Sequence, residues 1–326
     1  LHTDGVAALP AGEDRNFAVA LLLGIAYGAT IGGLGTLIGT PPNALLAAFM
    51  VETQGVSIGF GQWMLLGVPL VIVMLPLAWL ILTKIAFPVG SAAIPGAADV
   101  IAQELGALER MSAPEKRVAV VFCAIAALWI TRPAINGIFP ELSLSDPAIA
   151  ILGALALFAM PAGTGKGESL LNWEWAQRLP WGVLILFGGG LSLAAAISQS
   201  GLAQWIGEAL TSVSAWPAFV VIMLVALVVI FLTEITSNTA TAAVFLPLAG
   251  AFAISVGELP ITLMVPVALA ASCAFMMPVA TPPNAIVFAS GAVTIRQMAH
   301  GGLLLNFAAI FLIVVASYSL VPLVFG

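Results

Sequence analysis

The five residues Thr-Pro-Pro-Asn-Ala occur twice, at Thr40–Ala44 and at Thr281–Ala285, each time inside a long apolar segment. Proline has no backbone N–H, so Pro41, Pro42, Pro282 and Pro283 cannot continue a helical hydrogen-bond ladder. The carbonyls left over need partners, and hydrocarbon offers none. A break of this kind is tolerated where it lines a polar cavity or binds an ion. Two matching broken helices in the two halves of a membrane protein point to a transporter's binding site.

The surrounding sequence supports a membrane setting. Hydrophobic residues are 61% of the chain and charged residues 7%, against about 25% charged in a soluble domain. Mean hydropathy is +1.14. The chain reads as an all-α polytopic membrane protein, because the residue alternation of a membrane barrel is absent. The net charge of -6 carries little meaning, since the charges sit in loops. Cys123 and Cys273 lie in apolar segments and read as small buried residues, not a disulfide. The chain opens on the polar stretch Leu1–Asn16 without an initiator Met, as expected of a piece of a longer protein.

The expected spans are 17–50, broken at Thr40-Pro41-Pro42, then 63–82, 118–130, 147–160 and 181–197. A long amphiphilic loop, 84–117, separates the second from the third, and Trp173, Trp175 and Trp181 fit an aromatic belt. Residues 216–254 are mostly apolar, with Thr-Glu-Ile-Thr-Ser-Asn-Thr-Ala-Thr at their middle. Residues 260–290 are broken at Thr281-Pro282-Pro283, and 301–324 form the last span. Let 216–254 enter and return on one side. Then Arg15, Lys84, Arg110, Lys116, Arg117, Lys166, Arg178 and Arg296 are cytoplasmic, and only Arg132 is outside. The two Thr-Pro-Pro-Asn helices then run in opposite directions, as an inverted repeat requires.

At the turn of this hairpin, Ser237, Asn238 and Thr239 offer two hydroxyls and an amide. Those are hard oxygen ligands for Na+ and hydrogen-bond donors for a carboxylate. A helix starting just after them adds free N–H groups and a positive dipole end. The alternative is a Ser/Thr-rich kink that glues helices together. The carbonyls of Gly39 and Ala280 end half-helices, where a cation can be held. Thr40 and Thr281 aim hydroxyls into the gaps, and Pro41 and Pro282 begin the next half-helices. Asn43 and Asn284 are open to two roles, bridging freed carbonyls or touching substrate.

These motifs, together with Pro180-Trp181-Gly182, Phe187-Gly188-Gly189-Gly190 and Ser200-Gly201-Leu202, resemble the divalent anion/sodium symporter family. The resemblance implies an elevator-type homodimer in the bacterial inner membrane, multi-pass and lipid-embedded. On that resemblance it would carry succinate, malate, fumarate or a similar di- or tricarboxylate with Na+. It implies one Na+ site from Thr233, Thr236, Asn238 and Ala280, and a contribution of Gly39 to another. Thr40, Pro41, Ser237, Asn238, Thr239, Thr281 and Pro282 would face the anion, supported by Asn43 and Asn284. On this pattern 1–87 and 216–326 belong to a transport domain, 88–117 is a cytoplasmic linker and 118–215 holds scaffold helices. One departure stands out: the family's first Ser-Asn-Thr hairpin does not precede the Thr40 helix in this sequence. No organic cofactor and no nucleic-acid partner is expected.

Other signals have plainer readings. Glu234 inside an apolar segment requires a partner, and a backbone contact fits better than proton coupling. Gly24, Gly28 and Gly32 read as a close-packing helix face. Gly163–Gly167 lacks the first glycine and the Ser/Thr of a phosphate-binding loop. His2 and His300 lie in loops and build no metal cluster. A sodium/sulfate symporter is the first alternative. A distant one is an intramembrane hydrolase with Ser192 as nucleophile and His300 as base, which needs the two within hydrogen-bond reach.

Overall fold

The computed structural model describes residues 13–90, 97–108, 110–163, 168–179, 181–202, 205 and 216–326. Among them the architecture is helical, with one isolated β-bridge between Pro161 and Ser169. Among the described residues five helices are long and apolar enough to cross a membrane: Arg15–Leu34, Phe60–Ala86, Ala113–Ile138, Asn238–Ser255 and Ile295–Ser319. The chain is therefore a multi-pass integral membrane protein. Lys166 and Pro180, singled out in the sequence, lie outside the described residues, as does most of the polar opening stretch.

Two compact units divide the chain. The first gathers the residues up to Ile58, Gln62–Gly90 and Gly182–Gly326. It contains α1 (Glu13–Leu34), α2 (Pro41–Gln54) and α3 (Phe60–Leu80, extended by a π-helical turn, Ile81–Ala86). The second gathers Gly59–Gly61 and Ser91–Trp181. Its helices are α4 (Ala97–Ala107), α5 (Ala113–Ile138), α6 (Asp146–Ala159) and α7 (Trp173–Gln177). Back in the first unit follow α8 (Gly182–Gln199), α9 (Ala218–Thr233), α10 (Asn238–Ser255) and α11 (Ile261–Ser272). The chain ends with α12 (Pro282–Ala289), α13 (Ile295–Ser319) and α14 (Val321–Phe325).

In the second unit α5 packs on α6, and no residue of α5 is buried. A helix apolar on every side tolerates that where its solvent is lipid. Arg132 pairs with Asp146 at 2.8 Å, and Phe60 stacks on Trp129 at 4.9 Å between ring centroids. Cys123, on α5, is exposed and not buried as its apolar neighbours suggested; only Cys273 has that character. The segment read as a loop, 84–117, holds the eleven-residue helix α4 and the start of α5, whose Ser112 and Glu115 form a capping box.

The first unit is built around α11, whose every residue from Leu263 to Ser272 is buried. Around it pack α9, α10, α2 and α13, and α8 lies along α10. The two broken helices are interleaved: α1 packs on α12, and α11 packs on α2. Each first half thus lies beside the other helix's second half. The glycine stripe departs from expectation. A Cβ on Gly24 or Gly28 would meet only leucine methyls at 4.0 and 3.9 Å, and on Gly32 nothing. The close approaches are elsewhere: a Cβ on Gly67 would lie 2.5 Å from the Leu34 carbonyl oxygen, and on Gly302 it would overlap the Phe275 carbonyl.

Candidate functional site

The two breaks, residues 35–40 and 273–281, match in the backbone of their downstream halves and in two of their hydrogen bonds. Thr40 and Thr281 are the N-caps of α2 and α12, with φ and ψ of -137° and 147°, and -138° and 151°. The Pro-Pro pairs open those helices, where a missing N–H costs nothing. Gly39 N–H donates to the Thr36 carbonyl, and Ala280 N–H to the Met277 carbonyl, each at 3.2 Å. Asn43 Nδ2 donates to the same Thr36 carbonyl at 3.0 Å, and Asn284 Nδ2 to the same Met277 carbonyl at 3.1 Å. Both asparagines are fully buried. Their side chains thus serve the carbonyls that the breaks leave over, as one of the two sequence readings had it.

A direct bond joins the breaks. Thr40 Oγ1 lies 2.9 Å from Ser272 Oγ at the end of α11. Ser272 spends its own proton on the Ala268 carbonyl at 3.0 Å, so Thr40 is the donor. Thr281 instead accepts from the N–H of Asn284 at 3.3 Å, capping its own helix.

The turn at residues 234–237 lies between α9 and α10, both packed on α11. Thr233 Oγ1 donates to Asn238 Oδ1 at 2.6 Å and to the Ala271 carbonyl at 3.2 Å, so the turn and the last turn of α11 share one hydroxyl. Thr236 Oγ1 donates to the Leu232 carbonyl at 2.9 Å and accepts from Thr241 Oγ1 at 2.6 Å. Ser237 is exposed and makes no capping bond, although it sits at the N-cap of α10. Thr239 is buried in the first turn of that helix. The structure therefore joins Thr233 to Asn238 directly, and turns the Thr236 hydroxyl toward its own hairpin. Gly39 and Pro282 are exposed, and Ala280 and Thr281 are buried.

Four residues of this network escaped the sequence reading. Ser272 receives the Thr40 hydroxyl, and Asn306 on α13 meets Glu234. Thr241 holds Thr236, and the Trp63 indole N–H donates to the Leu34 carbonyl at 3.0 Å. A lone polar residue in an apolar span was the available signal for Ser272 and Asn306. Glu234 accepts from backbone N–H groups, as expected.

Arg15, Lys84 and Arg296, the cationic side chains of this unit among the described residues, are all exposed. No cluster of three His, Cys, Asp or Glu residues suited to a metal occurs among the described residues. What the site offers is neutral oxygens and two helix N-termini, a donor set suited to a hard monovalent cation and an anion together. Ser192 on α8 is exposed, and His300 packs edge-on against Phe87 at 6.0 Å. No hydrogen bond joins the two among the described residues, so the hydrolase reading lacks its catalytic pair.

The model of one protein family, described as "Sodium:sulfate symporter transmembrane region", matches residues 7–325. The chain belongs to this family. It is 46% identical over 312 residues to the sodium-dependent dicarboxylate transporter SdcS of Staphylococcus saprophyticus, covering 95% of this chain and 60% of that protein. It is 44% identical over 314 residues to the protein of the same name from Staphylococcus aureus strain USA300, covering 96% and 60%. The chain thus spans about 60% of the length of these relatives. The family match agrees with the divalent anion/sodium symporter resemblance carried by the motifs, and these relatives are transporters, not enzymes.

Proposed function

We propose that the protein containing this chain is a Na+-coupled symporter of a small dicarboxylate, in the succinate, malate and fumarate class. The observation that carries this reading is the pair of interleaved breaks, joined by the Thr40–Ser272 bond and faced by a Ser-Asn-Thr turn. The names of the SdcS relatives support both Na+ and dicarboxylate. Thr233, Asn238 and the carbonyls of the second break supply oxygens to one Na+, with Thr236 and Ala280 beside them, and Gly39 serves a second. The anion rests against Ser237, Asn238, Thr239, Thr40, Pro41, Thr281 and Pro282. Its charge is met by helix N-termini and by bound Na+, because no Arg or Lys of this unit is buried among the described residues.

The half-helices suit a site at mid-membrane. α11 and α12 have 12 and 8 residues; at 1.5 Å per residue each rises well short of the ~30 Å hydrocarbon core. An elevator movement of residues 1–87 and 216–326, in a lipid-embedded homodimer of the bacterial inner membrane, completes the reading.

The test is succinate uptake into proteoliposomes by the full-length protein, with and without an inward Na+ gradient. Na+-driven uptake competed by malate and fumarate is expected. Na+-driven sulfate uptake without succinate uptake would favour the second reading, which the family's description supports. Uptake indifferent to Na+ would refute both. Asn238→Ala removes an oxygen proposed for cation and anion alike, and Na+-driven uptake is expected to vanish in that variant.

A further inference from the structure

We propose that Glu234 is a positioning residue that fixes the register between the hairpin turn and the second break, and through it the affinity for the coupling cation. This rests on the Na+-coupled reading above. Glu234 is buried in an apolar unit without a salt-bridge partner among the described residues. Its carboxylate instead collects N–H groups. Oε1 accepts from Phe275 N–H at 2.7 Å, Met276 N–H at 2.8 Å and Asn306 Nδ2 at 2.7 Å. Oε2 accepts from Met277 N–H at 2.9 Å. Among the described residues, four N–H donors face the group.

The opposite edge of the same backbone is held as well. Asn284 Nδ2 donates to the carbonyls of Ala274, at 3.3 Å, and Met277, at 3.1 Å. Residues 274–277 are thus clasped on their N–H edge by the hairpin and on their carbonyl edge by α12. Thr233, the neighbour of Glu234, takes the Ala271 carbonyl just upstream. In a continuous helix the N–H groups of Phe275, Met276 and Met277 would return to the carbonyls of residues 271 to 273. Glu234 withholds them, so α11 ends at Ser272. Glu234 does not itself supply an oxygen to the proposed cation site, since its oxygens face the N–H groups. It decides where the second break lies relative to Thr233 and Asn238, the hairpin half of that site.

The experiment measures uptake by the full-length protein against Na+ concentration, in wild type, Glu234→Gln and Asn306→Ala. Glu234→Gln sets an N–H against an N–H and loses a charge-assisted contact, so half-maximal Na+ is expected to rise about tenfold or more. Asn306→Ala removes one donor of four and leaves the break clasped, so a rise of roughly threefold is expected. With Na+ raised to saturation, both variants are expected to recover uptake, with a succinate KM within about twofold of wild type. A merely structural residue would lower the amount of folded protein and leave the Na+ midpoint unmoved. An unmoved midpoint in folded Glu234→Gln overturns the proposal. Should that variant not fold, an unmoved midpoint in Asn306→Ala overturns it, and a shifted one supports it. A wild-type protein indifferent to Na+ removes the symport reading and this proposal together, whereas Na+-dependent wild type with unshifted variants removes the proposal alone.

Discussion

At the first break the helix runs to Leu34 before it unwinds, whereas at the second it stops at Ser272, although the position matching Leu34 is Phe275. Downstream, the two share their backbone angles and two hydrogen bonds, the Gly39 and Ala280 N–H groups and the Asn43 and Asn284 amides meeting the Thr36 and Met277 carbonyls. The difference lies in what takes the upstream polar groups. Near Leu34 the carbonyl is met by the Trp63 indole and the backbone N–H of Gly35 returns to Gly32, so little has to be unwound. Near Phe275 a carboxylate from another helix claims three successive N–H groups, and the ladder cannot close. Local chemistry opens both breaks; a distant side chain sets the length of one.

The likeness of the breaks is tested hardest at their glycines. Gly67 and Gly302 each let a following helix lie directly on the carbonyl of Leu34 or Phe275. Gly67→Ala and Gly302→Ala are each expected to lower stability by about 3 kcal/mol through overpacking against backbone, read as a lowered melting temperature in detergent. A harmless Gly67→Ala beside a damaging Gly302→Ala would show the first break to be the more pliable. The asparagines come next. Asn284 serves two carbonyls and Asn43 one. Asn284→Ala is expected to cost about 2 kcal/mol and Asn43→Ala about 1 kcal/mol, in the same melts. Equal losses would mean that the Ala274 contact contributes nothing. The threonines give the smallest effects. Thr281→Val loses a cap worth about 1 kcal/mol. Thr40→Val combined with Ser272→Ala in a double-mutant cycle should reveal a coupling of about 0.5 kcal/mol, the two residues being in contact.

The downstream edges of the breaks were legible because they are written in proline. Pro41 and Pro282 are the first residues of α2 and α12, where a residue without an N–H fits. The upstream edge of the second break was not legible. Cys273–Met277 is apolar and reads as helix, and the group that unwinds it stands 41 positions from Phe275. The sequence marked Glu234 as needing partners, and the fold supplies them from α13 and the break. The glycine stripe misled for a related reason: spacing of four shows which residues share a helix face, but not whether anything packs on it. Of the candidate site, the joined pair Thr233 and Asn238 lay within one motif, whereas Ser272 and Asn306 gave only the faint mark of single polar residues in apolar spans.

Cys273 is the first residue of the second break and has no accessible surface, while Cys123 is exposed on α5. The chain therefore carries an internal clock and its own reference. A membrane-permeant thiol reagent is expected to alkylate Cys123 ahead of Cys273, which it meets only when the loop held by Glu234 and Asn284 parts. The lag between the two alkylations reads out how often that loop opens, and its dependence on Na+ can be followed with no label introduced by mutation.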